Sequence, residues 1–347
     1  MTIVSFKCPN CSGDMHFDPQ SGNYMCHYCD SEFSQGWMDA HIQSIGLFQP
    51  AEDELQQYNC SSCGAEIMTD LTTAATFCYY CHNPVILSNR VSGNLLPDRI
   101  IPFRYNRKSA IQKFKNHVSK LKYLPDDFFS EEQIEKISGV YFPYWDWGAT
   151  VHGRFEGEGT RATHRTLGDS RITETRFYDV VRGGIINFEH MVENALSKVN
   201  LDLAVGVIPY NYDDMVDFNM SYLTGFMAEK RDIEANSIKP GLEQKLEGYT
   251  INRLMDEGKK YDSLSARKKA VKVEKLEPKY CLLPVWTITY KGNDDKLYYY
   301  SMNGQTGKIC GDFPVDKGKI TKLKVKTFAI ALAVLTALHV GGMVLWA

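Results

Sequence analysis

At 347 residues, with 44% hydrophobic and 12% aromatic content, the chain can fill two or three packed units and is not a disordered segment. Its net charge of −3 hides a gradient: residues 1–90 carry two basic side chains (Lys7, Arg90) against ten acidic ones, whereas 313–326 carry five lysines and one aspartate. Such a front excludes phosphate-backbone binding as its default use, because that affinity comes from Lys and Arg, and the two ends are expected to meet different partners.

Ten cysteines in a secreted protein would suggest a disulfide framework. The opening MTIVSFKCPN has no apolar signal-peptide core, and eight of the ten cysteines fall into CxxC pairs, so a reducing compartment and metal binding are expected. Cys8 and Cys11 are followed after fourteen residues by Cys26 and Cys29; Cys60 and Cys63 are followed at the same spacing by Cys78 and Cys81. The whole pattern repeats with a period of 52 residues. Each CxxC turn aims two thiolates at one ion, and two turns complete a tetrahedron. The expectation is therefore two tandem zinc ribbons, at 1–36 and 58–90, each holding one structural Zn²⁺ through four cysteines. Fragments this small bury too little apolar surface to fold alone, so the metal supplies folding free energy, on the order of 10 kcal/mol. Redox use of CxxC needs a thioredoxin-like context that is absent, and a catalytic zinc needs an open position. His16, His27 and His82 read as bystanders.

Residues 37–57 read as a linker. Within an expected α+β, mainly antiparallel domain at 91–312, the spacing of Ile111, Phe114, Val118 and Leu121 predicts a helix over 107–121. Residues 140–188 predict strands interrupted at Gly-Glu-Gly and at Leu-Gly-Asp-Ser. Residues 220–258 read as helical, with Pro240 suited to a first turn. Strands return at KAVKVEKLE, YCLLPVWTITYKG, KLYYYSMN and GKICGD. YFPYW (141–145) and LLPVW (282–286) each open a strand and read as core.

The basic linker at 313–326 precedes 21 uncharged residues at 327–347, which predict a C-terminal transmembrane helix flanked by cytoplasmic lysines. The protein is then expected to be tail-anchored and single-pass in the cell (inner) membrane, N-terminus cytoplasmic, touching lipid through that helix. Trp346 would sit at the far interface. Ala329, Ala333, Ala337 and Gly341 form a small-residue stripe open to oligomer formation, and His339 falls at mid-span.

No catalytic constellation emerges. Gly304 to Lys308 lacks P-loop spacing, Glu189-His190 with Glu193 lacks a second histidine, Cys281 reads as buried, and Cys310 is undecided. A non-enzymatic protein is expected, with a nucleic-acid-binding or transcription-associated ribbon protein as the alternative.

The order CPNC…CHYCDSEF, CSSCGAEI…TAATFCYYCHNPVIL, VYFPYWDW and LLPVWTITY…YYYSMNGQTGKICGDFPVDKGK resembles bacterial TFIIB-type zinc-ribbon-containing membrane proteins. Some of these carry a label borrowed from the primosomal helicase, whose motor motifs are missing here. The resemblance implies that Cys8, Cys11, Cys26, Cys29, Cys60, Cys63, Cys78 and Cys81 are the zinc ligands. It also implies an adaptor that recruits cytoplasmic proteins to the membrane in an envelope-stress setting, with phage-shock protein A-like and SPFH/flotillin-like proteins as partners.

Overall fold

The computed structural model describes residues 3–4, 6–45, 56–59, 66–69, 73–77, 84–87, 95–121, 123–125, 128, 137–197, 206–256, 260–291, 297–311 and 314–344. Cys60, Cys63, Cys78, Cys81 and His82 lie outside them, as do Trp346 and the side chains of Ala333, Ala337, His339 and Gly341. In chain order the elements are β1 (Ile3–Val4), β2 (Met15–Asp18), β3 (Asn23–Cys26), β4 (Glu32–Phe33), α1 (Gln35–Ile45), β5 (Gln56–Asn59), β6 (Glu66–Thr69), β7 (Thr73–Phe77) and β8 (Pro84–Leu87). Then come β9 (Arg99–Ile100), α2 (Arg107–Val118), β10 (Ser138–Leu167), β11 (Ser170–Asn194), β12 (Val216–Asp217), β13 (Met227–Glu229), α3 (Ala235–Asp256), β14 (Ser263–Lys291), β15 (Leu297–Asn303), β16 (Ile309–Gly311) and α4 (Lys317–Val344).

The chain divides into two units. The first comprises Met1–Pro102, Tyr141–Val199 and Asn211–Leu283. Its sheet runs β1-β8-β7-β13-β10-β14, with β11 hydrogen-bonded to β10, and β9 to both β12 and β14. Most pairs are antiparallel, but β9 lies parallel to β14, Cys281 opposite Arg99, so the sheet is mixed. Tyr141, Tyr144, Trp147, Cys281 and Leu283 are buried in this unit. Arg231 stacks its guanidinium 4.9 Å from the ring centre of Trp145 and 5.6 Å from that of Tyr280. Trp145 Nε1 donates to the Ile233 carbonyl at 2.8 Å, so the polar edge of that ring is satisfied where its body is buried. A smaller cluster under α3 joins Phe155, Val180 and Leu254 to Tyr178, Tyr261 and Leu264.

The second unit comprises Phe103–Val140, Asn200–Tyr210 and Pro284–Ala347. Here the end of β14 pairs antiparallel with β15, from Val285 opposite Asn303 to Lys291 opposite Leu297, and β15 pairs with β16. Helix α2 starts where Asn106 accepts from the Ser109 amide at 2.9 Å, an N-cap bond, and it buries Ala110 and Phe114.

Three expectations are corrected. The chain is mainly β-sheet of mixed type, not α+β: the Gly-Glu-Gly run does not break a strand, and β10 passes straight through it for 30 residues. Its glycines serve close approach instead. A Cβ on Gly157 would meet the Ser265 carbonyl oxygen at 2.2 Å, and one on Gly159 would meet the Tyr261 ring at 2.6 Å. The second correction concerns 220–258. Helix α3 begins only at Ala235, so Pro240 falls beyond its first turn, and Met220–Leu223 is a single 3₁₀ turn. The third is the membrane span. Among the described residues no helix is long and apolar enough to cross a membrane. The described side chains of α4 end at Leu332, after a stretch holding Lys317, Lys319, Lys322, Lys324 and Lys326. The transmembrane helix, the tail anchor and the single-pass cell-membrane placement are therefore not carried further.

Candidate metal centre

The first ribbon is built from two turns of matching backbone geometry around the β2–β3 hairpin. In one, the Ser12 amide donates to the Cys8 carbonyl (2.8 Å) and the Cys8 amide to the Gly13 carbonyl (2.7 Å). In the other, the Asp30 amide donates to the Cys26 carbonyl (2.8 Å) and the Cys26 amide to the Ser31 carbonyl (2.9 Å). Ser12 (φ 61°) and Asp30 (φ 55°) hold the same left-handed position one residue after the second cysteine of each pair. Aspartate is among the few non-glycine types that visit that conformation. Met15 faces Cys26 across the hairpin, which brings the turns together.

The result is a closed set of thiols. Cys8 Sγ lies 3.6 Å from Cys29 Sγ and Cys11 Sγ 3.4 Å from Cys26 Sγ, and all four sulfurs lie within 4.8 Å of one another. A tetrahedral Zn(Cys)₄ with Zn–S near 2.3 Å has sulfur–sulfur edges of about 3.8 Å. The four-thiol donor set and its spacing fit one zinc ion. Cys8 and Cys26 are buried, while Cys29 is exposed. The Ser31 hydroxyl and amide draw the Cys29 thiol down to about 6. The Gly13 amide favours the Cys11 thiolate, but Cys29, burial, Cys26 and Cys8 outweigh it and push that thiol up to about 12. A cation is what would let four crowded thiolates coexist. Gly13 is required by space: a Cβ there would stand 3.1 Å from Tyr28 Cβ and 3.2 Å from Cys26 Sγ.

The hairpin that carries the sulfurs is packed against the rest of the unit. Tyr24, fully buried, donates to Gln35 Oε1 at 2.8 Å and lies 2.5 Å from Ser221 Oγ. Phe17 packs edge-on against Tyr222 at 5.3 Å, its amide donates to the Thr224 carbonyl at 3.2 Å, and Asn219 Nδ2 donates to Asp39 at 2.6 Å. Gly225 (φ 90°) admits His16, whose ring a Cβ would approach at 3.2 Å. Burial, then His27 at a ring distance of 4.7 Å, pushes His16 down to about 4. The 219–225 segment carried no sequence signal, because its role depends on a surface some two hundred residues away in the chain. Tyr28, between Cys26 and Cys29 in the second turn, is 84% exposed.

The second cysteine set falls between described strands: 60–65 separates β5 from its antiparallel partner β6, and 78–83 separates β7 from β8. Over 322 residues the chain is 32% identical to the protein named "Uncharacterized protein YdjG" of Bacillus subtilis (strain 168), covering 92% of each chain. The chain belongs to the YdjG family. No protein-family profile and no solved structure matches it.

The remaining residues singled out in this YdjG-family chain serve the fold. In the second unit, Asn303 closes the NGQTGK turn: its Oδ1 accepts from the Gln305 and Thr306 amides, and its Nδ2 donates to the Val207 carbonyl at 2.9 Å. Gly307 (φ 77°) completes that turn. A Cβ on Gly206 would overlap Cys310 Sγ at 2.0 Å, so the Cys310 sulfur packs flat on backbone. In the first unit Cys281 is fully buried, and burial first, then Asp146 and Asp98, pushes its thiol well up. Glu193 pairs with Lys245. His190 (φ 55°) sits where β11 bulges opposite Gly148, its Nδ1 lies 3.0 Å from Asp146 Oδ2, and its ring stacks on Tyr212 at 4.6 Å.

Proposed function

We propose that the protein is a non-enzymatic, zinc-stabilised adaptor that docks cytoplasmic partner proteins, with two structural Zn²⁺ ions held by Cys8, Cys11, Cys26, Cys29 and by Cys60, Cys63, Cys78, Cys81. The observation that carries this reading is the division of labour on the first ribbon. Four thiols leave no position for water or substrate at a bound metal, and Tyr24 and Phe17 of the hairpin are committed to Ser221 and Tyr222 of the same unit. What remains outward is the turn bearing Tyr28, an aromatic of the kind that anchors protein interfaces. The second set repeats the ligand spacing of the first, which supports the same metal role there. The resemblance to ribbon proteins encoded beside phage-shock protein A-like and SPFH/flotillin-like proteins names the partners to try.

The test uses the intact zinc-loaded protein as bait for purified proteins of those two classes, beside Tyr28→Ala. Recovery of one class by the parent, reduced at least tenfold by Tyr28→Ala with zinc content unchanged, supports the proposal. No recovery of either class, or equal recovery by the variant, defeats it.

A further inference from the structure

The cations of the first unit are concentrated on one projecting piece of sheet. Residues 160–176 and 263–272 hold eight Arg and Lys against two acidic residues, a local excess of six on a chain whose net charge is −3. From Arg161 opposite Arg176, strands β10 and β11 continue as a two-stranded ribbon of seven residue pairs, closing at Leu167 opposite Ser170. That is about 20 Å of strand. Residues 163–173 are all exposed, so neither face of the ribbon is covered by another layer among the described residues. Gly168 (φ 61°) makes the two-residue turn at the tip.

The charges on this ribbon are arranged at a cost to the fold. Arg161 and Arg176 stand directly opposite each other on one face, and like charges so placed across a ladder destabilise it. Arg165 and Arg176 both reach the single carboxylate of Glu174, at 3.7 and 3.0 Å. Arg161 and Arg171 make no ion pair among the described residues. Arg267, lower on the neighbouring strand, is paired with Glu158 and Asp179 at 2.6 and 2.7 Å. Strand alternation puts Arg171 on the face opposite to Arg161, Arg165 and Arg176. Thr160, Thr163, Thr166, Thr173 and Thr175 line the spaces between them.

We infer that this ribbon is a nucleic-acid-binding arm that enters the groove of a duplex. Three features favour that occupant. Arginine presents a fork of donors matched to phosphate oxygens, and threonine hydroxyls add further donors. A two-stranded ribbon fits a major groove about 12 Å wide. Cations on both faces suit a ligand that flanks the arm on two sides, whereas a flat anionic bilayer meets only one face. The inference stands apart from the adaptor proposal, which rests on the zinc-bearing turn.

The test is fluorescence anisotropy of the full zinc-loaded chain with labelled 30-base-pair DNA and RNA duplexes at 50 and 200 mM salt. Binding at 50 mM that weakens about 100-fold at 200 mM would match about four neutralised phosphates. The triple variant Arg161→Gln, Arg165→Gln, Arg176→Gln should bind at least tenfold more weakly with a shallower salt slope, while Arg267→Gln, the compensated position, changes binding less than threefold. Because it removes the opposed pair, Arg161→Gln alone should melt no lower than the parent, which separates lost binding from lost folding. Absence of duplex binding at 50 mM, equal binding by the triple variant, or equal competition by phosphatidylserine vesicles or polyglutamate overturns the inference.

Discussion

Gly13 shows how tightly the first metal centre is drawn. With Cys26 Sγ and Cys11 Sγ at 3.2 and 3.3 Å from where a Cβ would stand, Gly13→Ala must spread the sulfurs by a few tenths of an ångström. The variant is expected to fold with zinc but to surrender it to a colorimetric chelator at least tenfold faster; an unchanged release rate would refute the geometry. Tyr24→Phe probes the contact of the hairpin with the rest of the unit. It removes the hydroxyl that meets Gln35 and Ser221, and leaves the Gln35 oxygen without that donor in a buried setting. A loss of about 1–2 kcal/mol is expected in urea unfolding, with zinc stoichiometry intact. At this scale the sequence was informative where chemistry is local. Cysteine spacing found Cys8, Cys11, Cys26 and Cys29 because both turns are written in consecutive residues. Ser221 and Tyr222 were invisible because nothing in a serine or tyrosine announces a partner so distant along the chain.

Among the elements, the glycines of β10 decide how closely helix α3 can lie. A Cβ on Gly153 would stand 2.4 Å from Thr250 Cγ2 and 2.9 Å from Leu254 Cδ1, both on buried positions of that helix. Gly153→Val therefore drives a branched side chain into a filled space. It is expected to destabilise the protein by about 1–3 kcal/mol, whereas Gly184→Ala, with nothing within 4 Å, stays within about 0.5 kcal/mol of the parent. Parallel thermal and urea melts distinguish the two, and equal effects would remove the helix-seating role assigned to Gly153. The same glycines explain why the strand pattern was misread. Gly-Glu-Gly looks like a turn in a sequence, since the signal for a turn and the signal for close backbone approach are the same residue. Helix α2 was legible from Phe114 and its neighbours because its apolar face repeats locally, whereas the region read as helical from 220 opens with a 3₁₀ turn and with β13, whose place is set by sheet pairing.

At the scale of the molecule, the two cysteine-bearing regions are woven into the first unit. The hairpin β7–β8 continues through β13 into β10, and β1 pairs outside β8, with Ile3 opposite Leu87. Ala75, Val85, Ile86 and Leu87 are buried. Unfolding of this hairpin therefore exposes the edge of β13, and the proposed second zinc, held between β7 and β8, would steady the sheet. Removing zinc with a strong chelator under reducing conditions is expected to lower the main calorimetric transition on the order of 10 °C, several kcal/mol for a unit of this size. The paired variants Cys8→Ser/Cys11→Ser and Cys78→Ser/Cys81→Ser should each retain one zinc per chain. The Cys78/Cys81 variant should shift the transition more, because its cysteines lie between two strands of the large sheet, whereas Cys8 and Cys11 precede β2 of a separate three-stranded sheet. Deleting 1–90 goes further: it strips β1, β7 and β8 and leaves β13 with an unpaired edge, a template for aggregation. A soluble 91–347 fragment melting as the parent does would show that the ribbons are appendages after all.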